Sequence, residues 1–276
     1  MIQTVSAWGY FAAWRILRWL PENFVYARAN GVADYLVRRN GKSVARLRSN
    51  LARTQPNITA LDLDLLVYSG MRSALRYWCD TFRLPDWSKE KIVRNVELVN
   101  SEILTNPLDK GQGVVVALPH SGNWDHAAAY FLECGYKAVT VAERLKPEKV
   151  FQAFLKYREK IGLEVLSTDM RTLPSLVERA KNGYIVALVA DRDLSSSGQE
   201  VNFFGKVAKM PVGPVAIAKK ADVDLVGAFI EYTPTAIRIH FEKLNLSVQS
   251  QADFFERQIK RTPVDWHMLQ RIWIND

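Results

Sequence analysis

Between Leu118 and His126 the chain reads L-P-H-S-G-N-W-D-H, which brings two histidines, an aspartate, an asparagine and a glycine into nine residues. A histidine can take a proton from a hydroxyl near neutral pH. A carboxylate on its other ring nitrogen fixes the tautomer and stabilises the imidazolium that forms. Gly122 permits a sharp turn, so Asp125 in the first turn of a following helix could reach back to His120. The same histidine could instead cap a helix or lie in a core. His126, which begins H-A-A-A-Y, falls on a different helical face and is the weaker candidate. A second chemical segment runs from Asp191 to Gly205: Asp191, Arg192 and Asp193, the polar stretch Leu194–Gln199, then E-V-N-F-F-G from Glu200. Its carboxylates and arginine can serve a histidine, a metal ion or a phosphate.

Each of these segments follows an apolar run that reads as a strand. Val114–Leu118 is a short, wholly apolar run after Gly111 and Gly113, as expected of a buried strand. Residues 139–142, 164–166, 185–190 and 225–230 have the same character, and helical patterns lie near 148–161, 172–182 and 212–221. Strand and helix in alternation predict an α/β fold with a mainly parallel central sheet flanked by helices. In such sheets ligands bind beyond the carboxyl ends of the strands, where both candidate segments fall. Thr235–Phe241 predicts a hairpin at one edge. Residues 44–84 predict helices broken at Pro56-Asn57 and stopped by Pro85. No repeat, low-complexity tract or Gly/Ser linker divides the chain, so residues 1–276 are expected to form a single domain.

The 276 residues carry a formal charge of +8 with 48% hydrophobic and 24% charged side chains, which excludes a disordered chain. Two cysteines, Cys79 and Cys134, are too few for a disulfide framework. The charge is concentrated: nine basic residues against Glu22 and Asp34 give the first 53 residues seven of the eight net charges. Among them stand Trp8, Tyr10, Phe11, Trp14, Ile16, Leu17, Trp19 and Leu20, and the longest weakly polar run, Val5–Trp14, is ten residues. That is half the roughly 20 residues a membrane-spanning helix needs. Tryptophan and tyrosine beside arginine suit a helix lying in the headgroup layer, so about residues 1–55 are expected to form an amphipathic, helical, membrane-docking section. The competing reading packs the aromatics onto the domain. No nucleic-acid-binding signature follows, and no nucleic-acid partner is expected.

The blocks together resemble a known family. H-x-x-x-x-D from His120 to Asp125 is similar to the first block of the glycerolipid acyltransferase superfamily, and H-S-G-N-W-D to its branch of bacterial lipid A lauroyl/myristoyl acyltransferases. D-R-D with E-V-N-F-F-G, M-P-V-G-P from Met210, and the terminal P-V-D-W-H-M from Pro263 agree with that branch. Within it, A-E-R-L-K-P from Ala142 and F-L-K-Y-R-E-K-I-G from Phe154 look most like the phosphatidylinositol mannoside acyltransferases of actinobacteria. The resemblance implies an O-acyltransferase that moves a long-chain acyl group, palmitoyl, from acyl-CoA to a mannose hydroxyl of a mannosylated phosphatidylinositol. It implies a peripheral enzyme on the cytoplasmic face of the cell membrane, with no cofactor or metal beyond acyl-CoA as co-substrate. Carried over by residue, His120 is the general base, Glu200 the supporting carboxylate with Asp191 or Asp193 as alternatives, and Asp125 the acid that orients the loop. Glu143, Arg158 and Arg192 are substrate-binding. Ser121 lacks the G-x-S-x-G elbow of an acylated serine. The alternatives are acylation of another sugar lipid such as a lipid A precursor, a metal-dependent hydrolase using His120, Asp125, His126, Asp191 and Asp193, and a non-catalytic lipid-binding protein.

Overall fold

The computed structural model describes residues 14–142, 148–167, 172–193 and 197–274. Nine strands alternate with helices in these segments. The central sheet has seven: β1 (Val96–Val99), β2 (Val114–Leu118), β3 (Ala138–Ala142), β4 (Glu164–Ser167), β5 (Ile185–Val189), β8 (Asp224–Tyr232) and β9 (Ile237–Leu244), in the order β1-β9-β8-β2-β5-β3-β4. Every pairing in it is parallel except β8 with β9. The fold is therefore the mixed α/β architecture with a mainly parallel sheet that strand–helix alternation requires.

Side chains alternate across the sheet and separate two cores. Val115, Ala117, Val186, Leu225 and Phe229 face α8 (Thr172–Lys181), α9 (Gly213–Ala221) and α10 (Val248–Arg261). Val114, Val116, Leu118, Val226 and Ile230 face α5 (Glu102–Asp109) and α6 (Trp124–Glu133). All five residues of β2 are buried, which puts the strand that delivers His120 in the middle of the molecule.

A helical layer precedes the sheet. It comprises α1 (Glu22–Arg39), α2 (Lys42–Thr54), α3 (Ala60–Arg83) and the short α4 (Lys89–Arg94). Val44, Leu47 and Leu51 recur at helical spacing on the buried face of α2, and Gly70 of α3 lets Leu47 and Leu51 close in. The Thr59 hydroxyl accepts from the Asp62 amide and starts α3, and the turn Leu84–Asp86 containing Pro85 ends it.

Two predicted features differ. The β8–β9 hairpin forms across residues 233–236 but is not an edge, because β1 pairs beyond β9. Glu200 falls on a strand that no apolar run marks in the sequence. It lies on β6 (Gln199–Phe203), which pairs antiparallel with β7 (Lys206–Met210), the hairpin being separate from the sheet. Val201 and Phe203 are buried while Glu200 and Asn202 are exposed, so a period of two was hidden among polar residues.

The aromatic N-terminal stretch is divided in its fate. Residues 1–13, with Trp8, Tyr10 and Phe11, lie outside the described residues. Residues 14–19 are helical, and Trp14 is buried against Phe82 and Tyr157, with its indole N–H donated to the Phe82 carbonyl at 3.1 Å. Trp19 is 80% exposed and Ile16 57%. On α1, Phe24, Arg28, Val32, Tyr35 and Arg39 share one exposed stripe, with Arg28 over the Phe24 ring and Arg39 over Tyr35. Among the described residues no helix is long and apolar enough to cross a membrane.

Candidate active site

β2 and β5 are neighbours in parallel register, with Leu118 opposite Val189, and the Ala190 amide donates to the Leu118 carbonyl at 2.8 Å. Both strands therefore release their next residues at the same height. His120 leaves one, Asp191 the other. The His120 Nδ1 lies 2.6 Å from Asp191 Oδ1, and the His120 backbone amide donates to Asp191 Oδ2 at 3.0 Å. Asp191 is completely buried while the His120 side chain keeps 40% exposure. A carboxylate accepts, so Nδ1 carries the proton and Nε2 presents its lone pair. No described residue partners Nε2.

The electrostatics follow from this contact. Burial works against the His120 imidazolium, but the charge of Asp191 and the hydrogen bond to it outweigh burial and the opposing Arg192, so the pKa lies above the ordinary 6.5. Burial likewise opposes ionised Asp191, yet the His120 charge, two hydrogen bonds from His120 and one from Trp266 hold its carboxyl below the usual range. When the imidazole is neutral, the pair presents a free Nε2 lone pair backed by an anion on Nδ1.

The loop between β2 and α6 is fixed by its neighbours. Gly122 has φ +53°, and a Cβ there would come within 2.6 Å of the Ile230 carbonyl oxygen, so this turn requires glycine. The Asn123 side chain accepts from the His126 amide at 2.9 Å and starts α6. Ser121 is fully buried, and its hydroxyl accepts from the Ile230 amide at 3.2 Å, a structural position rather than a nucleophile's. Trp124 stands edge-on to His120 at 5.7 Å and stacks on Tyr77 at 4.1 Å, walling one side.

The other predicted site residues separate into groups. Asp125 does not meet His120. It is 1% exposed, accepts from Arg158 Nε at 3.0 Å and takes the Tyr77 hydroxyl at 3.0 Å. Arg158, on α7 (Glu148–Lys160), is thereby joined to the motif acid, and the proximity of Asp125 raises its pKa against the cost of burial. Glu200 is corrected outright as the partner of His120. It is exposed on β6, and Asp191 occupies the position. Arg192 turns to the C-terminal segment, donating from Nε to the Arg271 carbonyl at 2.9 Å. Glu143 lies outside the described residues. His126 Nε2 donates to the Ile92 carbonyl at 2.9 Å, and burial pushes its pKa down to about 4. The ligand set of a metal-dependent hydrolase is thus dispersed. Among the described residues no three His, Cys, Asp or Glu side chains gather to hold an ion.

Sequence reasoning did not single out two residues that complete the site. Trp266 donates its indole N–H to Asp191 Oδ2 at 2.9 Å. Tyr77 aligns Asp125 and Trp124 from the helical layer. The signal for Trp266 was its place in P-V-D-W-H-M, while nothing local marked Tyr77.

A histidine–carboxylate pair thus sits at the carboxyl ends of adjacent parallel strands, over a loop that reads H-S-G-N-W-D. The chain matches the family of bacterial lipid A biosynthesis acyltransferases over residues 1–275, and it belongs to that family. It is similar to the phosphatidylinositol mannoside acyltransferase of Mycolicibacterium smegmatis, at 36% identity over 99% of this chain and 92% of that one. It is 38% identical to the protein of that name from Mycobacterium tuberculosis, over 99% of this chain and 90% of the relative.

Proposed function

We propose that this acyltransferase moves a palmitoyl group from acyl-CoA to a mannose hydroxyl of a phosphatidylinositol mannoside, with His120 as general base, at the cytoplasmic face of the membrane. The observation that carries the chemistry is the half-exposed imidazole held through Nδ1 by a buried carboxylate. The acceptor class rests on the names of the relatives.

The reaction needs no covalent enzyme intermediate. Nε2 of His120 takes the hydroxyl proton as the oxygen attacks the thioester carbonyl. The tetrahedral intermediate expels the CoA thiolate, which takes the proton from the imidazolium. Asp191 holds the tautomer and offsets the passing positive charge. Arg158, ordered by Asp125, supplies N–H donors for acceptor hydroxyls or phosphate. Docking draws on the basic N-terminal section and the exposed stripe of α1, where aromatic rings and guanidinium groups suit an anionic lipid surface.

The deciding experiment incubates the protein with palmitoyl-CoA and acidic vesicles bearing mannosylated or unmannosylated phosphatidylinositol, at low and high salt, and identifies products by mass spectrometry. Palmitoyl transfer to the mannosylated acceptor alone, weaker at high salt, is expected. Transfer to the unmannosylated lipid as well, or to neither lipid, would overturn this acceptor assignment.

The pair also separates the carboxylates. Asp191→Asn is expected to lower kcat by about 100-fold or more, as loss of the group orienting a general base does. It also removes the charge that raises the His120 pKa, so the acid limb of the pH–rate profile moves down. Glu200→Gln should leave both nearly unchanged, and equal losses in the two variants would contradict the geometry.

A further inference from the structure

The dyad is not held by the two strands alone. The C-terminal segment from Pro263 to Met268 touches the loop that carries His120 at successive residues. The Gly122 amide donates to the Asp265 carbonyl at 3.0 Å, Ser121 and Trp266 form a bridge, and the His267 amide donates to the His120 carbonyl at 2.8 Å. Asp265 is itself anchored by the Ser73 hydroxyl at 2.5 Å and the Tyr232 amide at 2.8 Å.

Within that segment Trp266 is fully buried, with its ring edge-on to Phe203 at 6.0 Å and tilted against Phe204 at 6.2 Å. The two phenylalanines of E-V-N-F-F-G thus seat an indole, and that indole reaches Asp191. The carboxylate then receives an imidazole N–H on Oδ1, and an amide and an indole N–H on Oδ2.

We propose that Trp266 is a positioning residue of the acyl transfer, its indole N–H setting both the orientation and the basicity of Asp191 and, through it, of His120. The inference rests on His120 and Asp191 being the working pair. An N–H donor on Oδ2 draws charge from the carboxylate. Without it, Asp191 binds the imidazolium more strongly, and the imidazole holds its proton to higher pH. The other groups facing the pair are fixed in sense. Arg192 opposes the imidazolium, and His267, buried with its Nε2 on Ser73 and its pKa pushed down to about 3, stays neutral.

The test compares wild type, Trp266→Phe, Asp191→Asn and His120→Ala in kcat, KM and pH profile, with palmitoyl-CoA and a mannosylated phosphatidylinositol. In parallel, the His120 imidazole of the substrate-free enzyme is titrated by NMR. For Trp266→Phe, kcat falls about tenfold, the size a hydrogen bond to a charged group carries. KM for both substrates holds, and the acid limb and the NMR titration both move to higher pH. Replacing Trp266 by benzothienylalanine keeps the bicyclic shape without the donor, so it should repeat the shift even if phenylalanine leaves too large a void. Retained kcat with an unmoved titration in the isosteric variant overturns the role of Trp266. Full activity in His120→Ala overturns the dyad beneath it.

Discussion

His120→Ala is expected to reduce acyl transfer by about 10²–10⁴-fold, the usual contribution of a positioned general base, or to the detection limit. The protein should stay folded, because the loop is held by backbone bonds that alanine preserves: His267 to the His120 carbonyl, and the residue-120 amide to Asp191. The vacated space opens to solvent, since the imidazole is 40% exposed, and water can replace it on Asp191 Oδ1 while Trp266 stays on Oδ2. Activity close to wild type in a folded variant would end the general-base mechanism.

The pH behaviour gives a second check on the same residue. A general base works as the neutral imidazole, and the His120 pKa is raised above 6.5, so under this mechanism kcat/KM should fall as pH drops through a value higher than that of a free histidine. The sign for stability is opposite. A histidine with a raised folded pKa contributes fully below its unfolded value, and the contribution is lost as pH rises through the folded one. The difference in thermal midpoint between wild type and His120→Ala should therefore be greatest in mild acid and narrow with rising pH.

What could be read from the sequence divides along a physical line. The central strand β2 is a run of Val, Ala and Leu buried at all five positions and is marked by composition alone, whereas β1, V-E-L-V with no fully buried residue, is not. His120 was legible because a proton-transfer group, a turn glycine and a helix start lie within six residues. Its partner was not, because Asp191, Asp193 and Glu200 fall within ten residues of one another. Choosing among them depends on the register of β2 on β5, which no local pattern encodes. Glu200 lost its assigned role through the period of two in β6, which sends Val201 and Phe203 to the core and turns the glutamate outward. Trp266 and Tyr77 reach the site across 75 and 48 residues of chain, and their function is a property of packing. The aromatic N-terminal stretch mixes both readings. Trp14 takes the core position and Trp19 the surface one, as adjacent sides of one short helix must.

The second large effect concerns Asp125. Its carboxylate is 1% exposed and shared between Tyr77 and the Arg158 guanidinium, itself only 17% exposed. Removing one member of such a pair leaves a buried charge without its counterpart, which costs about 3–5 kcal/mol. Asp125→Ala should thus fall below wild type by that amount in denaturant unfolding, and Arg158→Ala by a similar one. Replacing both by apolar residues of like volume, Asp125→Leu with Arg158→Met, removes both charges together and should recover most of the stability. Turnover is the discriminating reading. Among the described residues, Asp125 engages Nε of the guanidinium, and an acceptor lipid would be bound through the four Nη N–H donors. The double variant is accordingly expected to fold well yet show a raised KM for the mannosylated lipid, with KM for acyl-CoA little changed. A double variant that regains both stability and wild-type KM would make the pair a clamp between α6 and α7 with no share in binding, and Arg158 would leave the list of substrate contacts.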